Sequence, residues 1–230
     1  DVVTREEAKE IGDQNPDSFL HVDRAEMDLP ADTDLYDQKV YDRARENLIN
    51  MEKNGILVQD GAPCYYIYEL TRKGKTQTGL VGCCSIDDYM NGVVKKHELT
   101  REDKEQDRIH HVDVCDANTG PIYLACKYPQ ELLDLMETWK ASHDAIYDFV
   151  AEDEIGHRVW VIDGEAEKKV IAEQFGNIPY IYIADGHHRA ASAVKVGSRG
   201  ERNTRITMEV RNLIISFLLS FRMTSLRSFL

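Results

Sequence analysis

The chain has 230 residues, 42% of them apolar, and a formal charge of −13, enough length and apolar content for one large or two small globular domains. That charge repels phosphate backbones and no concentrated basic patch offsets it, so nucleic acid is not expected as a partner. No run reaches the roughly 18 apolar residues of a membrane span. The opening Asp-Val-Val-Thr-Arg also lacks the basic-then-apolar order of a secretory signal, so a cytoplasmic location without a membrane partner is expected.

Thr4 and Glu7 form a capping-box pattern that predicts a short helix ending near Gly12, ahead of an Asn15-Pro16 turn. Residues 18–22 read as a brief strand and 28–34 as an acidic loop. Apolar residues at 36, 40, 44, 48 and 51 predict a helix over 35–54, with Gly55 just past its end. Residues 64–70 and 77–86 read as a hairpin with Gly74 in its turn. Helices are predicted from Thr100, capped with Asp103, to about 117, over 129–140 with Pro129 at the favoured first position, and over 165–175 before Gly176. A second hairpin joins 145–150 to 158–162 through a turn at 153–156. Hairpins mixed with strand-to-helix crossovers predict an α/β or α+β domain with a mixed β-sheet. The five cysteines, at 64, 83, 84, 115 and 126, include no Cys-x-x-Cys and suit neither a disulfide framework nor a four-thiolate zinc site.

The most informative residues are Asp185-Gly-His-His-Arg189, where an apolar run over 178–184 meets an alanine-rich helix over 190–196. A helix that starts at the end of a buried strand offers unpaired N–H groups and partial positive charge to an anion. Gly186 permits close approach, and His187, His188 and Arg189 add donors. An ordinary cap and turn is the competing reading of the same five residues. A second constellation lies on the helix that begins near Thr100. Lys104, Asp107, Arg108 and His111 fall at i, i+3, i+4 and i+7 and share one face, fit either to hold a phosphorylated ligand or to be a solvated charged surface. Glu98, next to His97 just before that helix, is placed for base chemistry or metal binding, or is an exposed loop acid.

Ser18-Phe-Leu-His-Val, Lys96-His-Glu-Leu-Thr-Arg, Lys104-Glu-Gln-Asp-Arg108, Asn118-Thr-Gly-Pro-Ile122 and Ala184-Asp-Gly-His-His-Arg-Ala190 together resemble the family known as domain of unknown function 1015, over about residues 1–205. The Asp-Gly-His-His-Arg element is similar to the phosphate-binding turn of the ParB and sulfiredoxin superfamily, which includes free-serine kinases. That resemblance implies phosphate binding by Gly186, His187, His188 and Arg189, assisted by Lys104 and Arg108. It further implies Mg²⁺ at Asp185, proton acceptance by Glu98, and ATP or ADP as co-substrate. The expected activity is a nucleotide-dependent phosphotransferase on a small hydroxylated metabolite such as serine. A non-catalytic nucleotide-binding regulatory module is the alternative, and a metal-dependent hydrolase built on His97, His110, His111, His187 and His188 is a third. Adjacent histidines on a helix diverge by about 100°, which disfavours the third.

Against the family pattern the chain lacks an initial methionine and reads as truncated. From Arg211 to Leu230 it has no acid and three arginines, a charge of +3 that leaves −16 on the 210 residues before it. Residues 206–230 are therefore read as an atypical tail, a shifted reading frame or else an apolar helix over 213–221 that forms a packing or homodimer face.

Overall fold

The computed structural model describes residues 3–98, 102–199 and 215–220, the last six by their backbone alone. The Thr4 hydroxyl accepts from the Glu7 amide while the Glu7 carboxylate accepts from the Thr4 amide, the reciprocal pair that opens α1 (Arg5–Gln14). Residues 18–22 are not a strand. They turn into α2 (Leu20–Asp23) and a 3₁₀ turn over Ala25–Asp28, because Ser18 caps the Leu20 amide at 3.3 Å and the apolar positions recur at three-residue spacing. Val22 and Ala25 bury against Val40, Ala44, Leu48 and Met51 of α3 (Gln38–Lys53), which starts at the Asp37 cap. Cys115 joins this cluster from α5 (Glu102–Cys115). The predicted cap formed by Thr100 and Asp103, and the Lys104 side chain, lie outside the described residues.

Strands β1 (Tyr65–Arg72) and β2 (Lys75–Cys83) form the expected hairpin. Its two-residue turn puts Lys73 at φ 48° and Gly74 at φ 74°, the left-handed pair that a twisted hairpin requires. The predicted second strand ends early, since Ser85 caps the short helix α4 (Ile86–Met90). Two-residue β3 (Val94–Lys95) and β4 (Ile122–Cys126) flank α5 in sequence. After α6 (Gln130–Ser142) come the second hairpin, β5 (Tyr147–Val150) with β6 (Gly156–Ile162), then α7 (Glu165–Gly176). Strand β7 (Ile181–Asp185) leads into α8 (His187–Arg199).

Within the tail, Ile215–Ser220 is a strand, β8, and not the helix considered for the apolar run. It runs parallel to β4 and antiparallel to β2, each pairing extending over five residues. The sheet is mixed, eight-stranded, and ordered β3-β7-β4-β8-β2-β1-β6-β5. One face carries Ile67, Leu80, Leu124, Trp160 and Ile183, which bury against α4, α6, α7 and α8. On the other, Tyr182 is 55% exposed, so β7 is buried on one face only, contrary to the fully buried strand that its apolar run suggested. No helix among the described residues is long and apolar enough to cross a membrane.

Candidate functional site

Asp185 ends β7 and His187 begins α8, so the predicted pentapeptide does stand at a strand-to-helix junction. Gly186 makes the turn at φ +89°. A Cβ there would lie 2.9 Å from Ile122 Cγ2, so the close approach it permits in this structure is that of β4. The Ala190 amide closes the first helical bond on the Gly186 carbonyl at 2.9 Å, which places the amides of His187, His188 and Arg189 outside the intrahelical ladder.

The five residues then diverge. Asp185 is exposed and accepts from Arg189 Nη2 at 3.1 Å. Arg189 also donates to the Pro121 carbonyl and lays its stem against Gly120, so its guanidinium is held at the start of β4. His187 is 6% exposed, with Nδ1 3.7 Å from Glu98 Oε2 and its ring edge-to-face with His97 at 4.3 Å between centroids. Thus Glu98, exposed at the end of the loop after β3, meets the pentapeptide through an imidazole. The buried ring nitrogens His187 Nε2 and His188 Nδ1 have no hydrogen-bond partner. Buried polar groups are almost always paired, and each unpaired one costs about 1–3 kcal/mol.

Burial, and next the nearby His97, lower the His187 pKa against the opposite pull of Glu98 and Asp185. At neutral pH the ring is therefore uncharged, a hydrogen-bond donor that carries no positive charge. A lowered pKa also links this ring to stability. The unfolded chain takes up the proton first as pH falls, so stability contributed above the ordinary histidine pKa near 6.5 is lost on acidification through the folded value. We expect the thermal midpoint to drop between pH 7 and pH 5, and His187→Gln to flatten that slope; an unchanged slope in the variant would assign the acid sensitivity elsewhere.

On the other side of the α8 start is a small cleft, open to solvent, lined by Arg108, His111, Asn118, Thr119, Arg189 and Ser192 among others. Arg108 and Arg189, both assigned to one phosphate site by the resemblance, line it together from α5 and α8. Asp107 instead turns to α3, accepting from the Tyr41 hydroxyl at 2.7 Å. Sequence reasoning assigned no role to Thr119 or to the wall behind it, although both belong to motif runs. Thr119 Oγ1 donates to Asp23 Oδ1 at 3.0 Å, and His111 Nε2 donates to the Val22 carbonyl at 3.1 Å, so α2 backs the cleft.

The sequence matches a family described as "Protein of unknown function (DUF1015)" over residues 1–227. The chain belongs to that family. Its match takes in most of the tail as well as residues 1–205. No curated protein and no solved structure matches the chain. The histidines of the hydrolase alternative are dispersed in this family member. His110 stacks on Tyr41 at 4.3 Å and His111 faces Val22, while only His97 and His187 touch one another. Among the described residues no three His, Cys, Asp or Glu side chains converge as metal ligands.

Proposed function

We propose that this chain is a nucleotide-dependent phosphotransferase acting on a small hydroxylated metabolite. The observation that carries the reading is the pair of buried, unpartnered ring nitrogens on His187 and His188 at a helix N-terminus that also presents its amides. Such a constellation suits phosphate oxygens, which accept from amides and neutral imidazoles alike. Phosphoryl transfer asks a protein mainly for positioning and charge neutralisation, and cationic Arg189 stands in the same first turn.

Mg²⁺ is held in such enzymes by one or two carboxylates plus the phosphates themselves. Asp185, a single exposed carboxylate at the strand end, fits that demand and would hold the ion, whose contribution is to neutralise charge on the transferred group. Glu98 is the carboxylate placed to accept the proton of the attacking hydroxyl. Its contact with His187 ties its position to the phosphate-binding turn.

The test is incubation with ATP or ADP, Mg²⁺ and a panel of hydroxy compounds, followed by ³¹P NMR. A phosphorylated product is expected, and Asp185→Asn should reduce its rate by at least about 100-fold. Saturable nucleotide binding with no product would replace this reading with a regulatory nucleotide-binding module, and absence of nucleotide binding would reject both.

A further inference from the structure

Among the described residues the sheet ends at two free edges, β3 and β5. The apolar run over 213–221 supplies neither, because its strand β8 is paired on both sides. A free edge is a row of unpaired N–H and C=O groups, which proteins usually blunt by shortness, lysine or proline. The β3 edge is blunted in that way, with only two residues, Lys95 at its end and Lys96 just after. The β5 edge is not. Its four residues are all exposed, and Ile146, Tyr147, Phe149 and Val150 each keep half or more of their surface in solvent. Asp148, the single charge of the strand, meets Arg158 Nε at 3.1 Å.

The existing ladder fixes how a further strand would bond. The Ala151 amide donates to the Ile155 carbonyl at 2.9 Å, so the backbone groups of 147, 149 and 151 face β6 and those of Asp148 and Val150 point outward. Three two-fold registers let a second β5, running antiparallel, meet those outward groups with the strands overlapped. Asp148 opposite its counterpart sets like charges face to face, and Val150 opposite its counterpart sets Asp148 against Glu152; both are unfavourable. The remaining register pairs Asp148 with Val150 in both directions. It centres Phe149 on its counterpart, at the non-hydrogen-bonded position where side chains come closest. That ring is already held, stacked on His157 at 5.0 Å between centroids, while His157 Nδ1 is bonded to the Tyr68 hydroxyl. A held ring loses little freedom on association.

We infer that this chain forms a two-fold homodimer by antiparallel pairing of β5 with β5 of a second copy, joining two sheets across Phe149. The dimer is independent of the reaction proposed above. The apolar side chains of the edge expose on the order of 400 Å² per copy, counting roughly 200 Å² for a whole aromatic residue. That is about half of the roughly 800 Å² per partner of a standard interface, so association is weak and concentration-dependent. Each copy carries −13, and Glu152, Asp153 and Glu154 follow the strand, so the copies repel at long range and salt strengthens the pairing. A basic peptide on the same edge has the opposite salt dependence.

Sedimentation velocity of the full chain, from micromolar to millimolar concentration, is expected to show monomer and dimer in exchange, with more dimer in high salt than in low. Phe149→Lys should weaken the dimer about ten-fold or more by setting two ammonium groups opposite one another. Phe149 is exposed, so the thermal midpoint of that variant should match the parent. Phe149→Cys, with exposed Cys83 replaced by serine, should oxidise to a disulfide between the two copies of position 149. Cα atoms at a non-hydrogen-bonded pair lie about 4.5 Å apart, within disulfide reach. Tyr147→Cys in the same background should not, since its counterpart stands four positions along the strand, about 13 Å away. The inference is overturned if the chain stays monomeric at the highest concentration or if salt weakens the association. It is equally overturned if Phe149→Lys dimerises as tightly as the parent, or if Tyr147→Cys cross-links as readily as Phe149→Cys.

Discussion

Gly186→Ala is expected to lower the unfolding free energy by about 3 kcal/mol, read as a shift in the urea midpoint at unchanged slope. Two costs add. At φ +89° an L-residue pays roughly 1–2 kcal/mol for its Cβ. The methyl then meets Ile122 Cγ2 at 2.9 Å, and overpacking in a closed core costs roughly 1–3 kcal/mol. Ile122 is 2% exposed and fixed in β4 between β7 and β8, so it has little room to yield. The contributions are separable, because Ile122→Ala opens the space without changing the backbone. The double variant should therefore be less destabilised than the two single variants added together. An alanine variant within about 0.5 kcal/mol of the parent would mean that the turn relaxes, and that its shape is not held by the sheet.

Lys140→Met should cost about 3 kcal/mol, the scale for leaving a buried charge without its partner. Glu69 on β1 is only 9% exposed and accepts from Lys140 Nζ at 3.0 Å and Thr78 Oγ1 at 3.1 Å, with Arg158 farther off at 3.7 Å. The pair ties α6 to the sheet near the buried Trp160, over which Arg158 lies at 4.6 Å. Removing the lysine leaves the carboxylate dehydrated; removing both charges does not. Lys140→Met combined with Glu69→Leu is accordingly expected to recover most of the loss, since buried ion pairs and well-packed apolar residues of like volume are often near parity. Chemical denaturation of the two variants side by side checks this. A single variant as stable as the parent would show that the pair contributes nothing to holding the helix.

What the sequence made legible was mostly local. The Lys73-Gly74 turn, the Thr4–Glu7 box and the apolar spacing of α3 each carry their reason within a few residues, and each formed where expected. Residues 18–22 misled because five residues with three apolar positions fit a strand or a helical turn equally well; packing on α3 decided for the turn. Strand β8 was obscured because its two neighbours, β2 and β4, are remote in sequence and the run carries no polar alternation. For the site, the junction at residues 185–189 was readable as a turn with donors. The meeting of Arg108 with Arg189 was expected only through the family resemblance and not from spacing, because they approach through the packing of two helices far apart in the chain. Nor was the neutral state of His187, which comes from burial and from His97, a residue ninety positions earlier.

The place of β8 in the sheet orders the making of the molecule. Without residues 215–220 the sheet is two pieces, β3-β7-β4 and β2-β1-β6-β5, with an open margin on each. A ribosome must make every other strand of the sheet before the segment that bridges them exists. Until then the β2 and β4 margins are unpaired templates for a foreign strand, and joining them afterwards entails a long-range search that folds slowly. Nascent chains stalled short of residue 215 should therefore lean on chaperones far more than the released protein does.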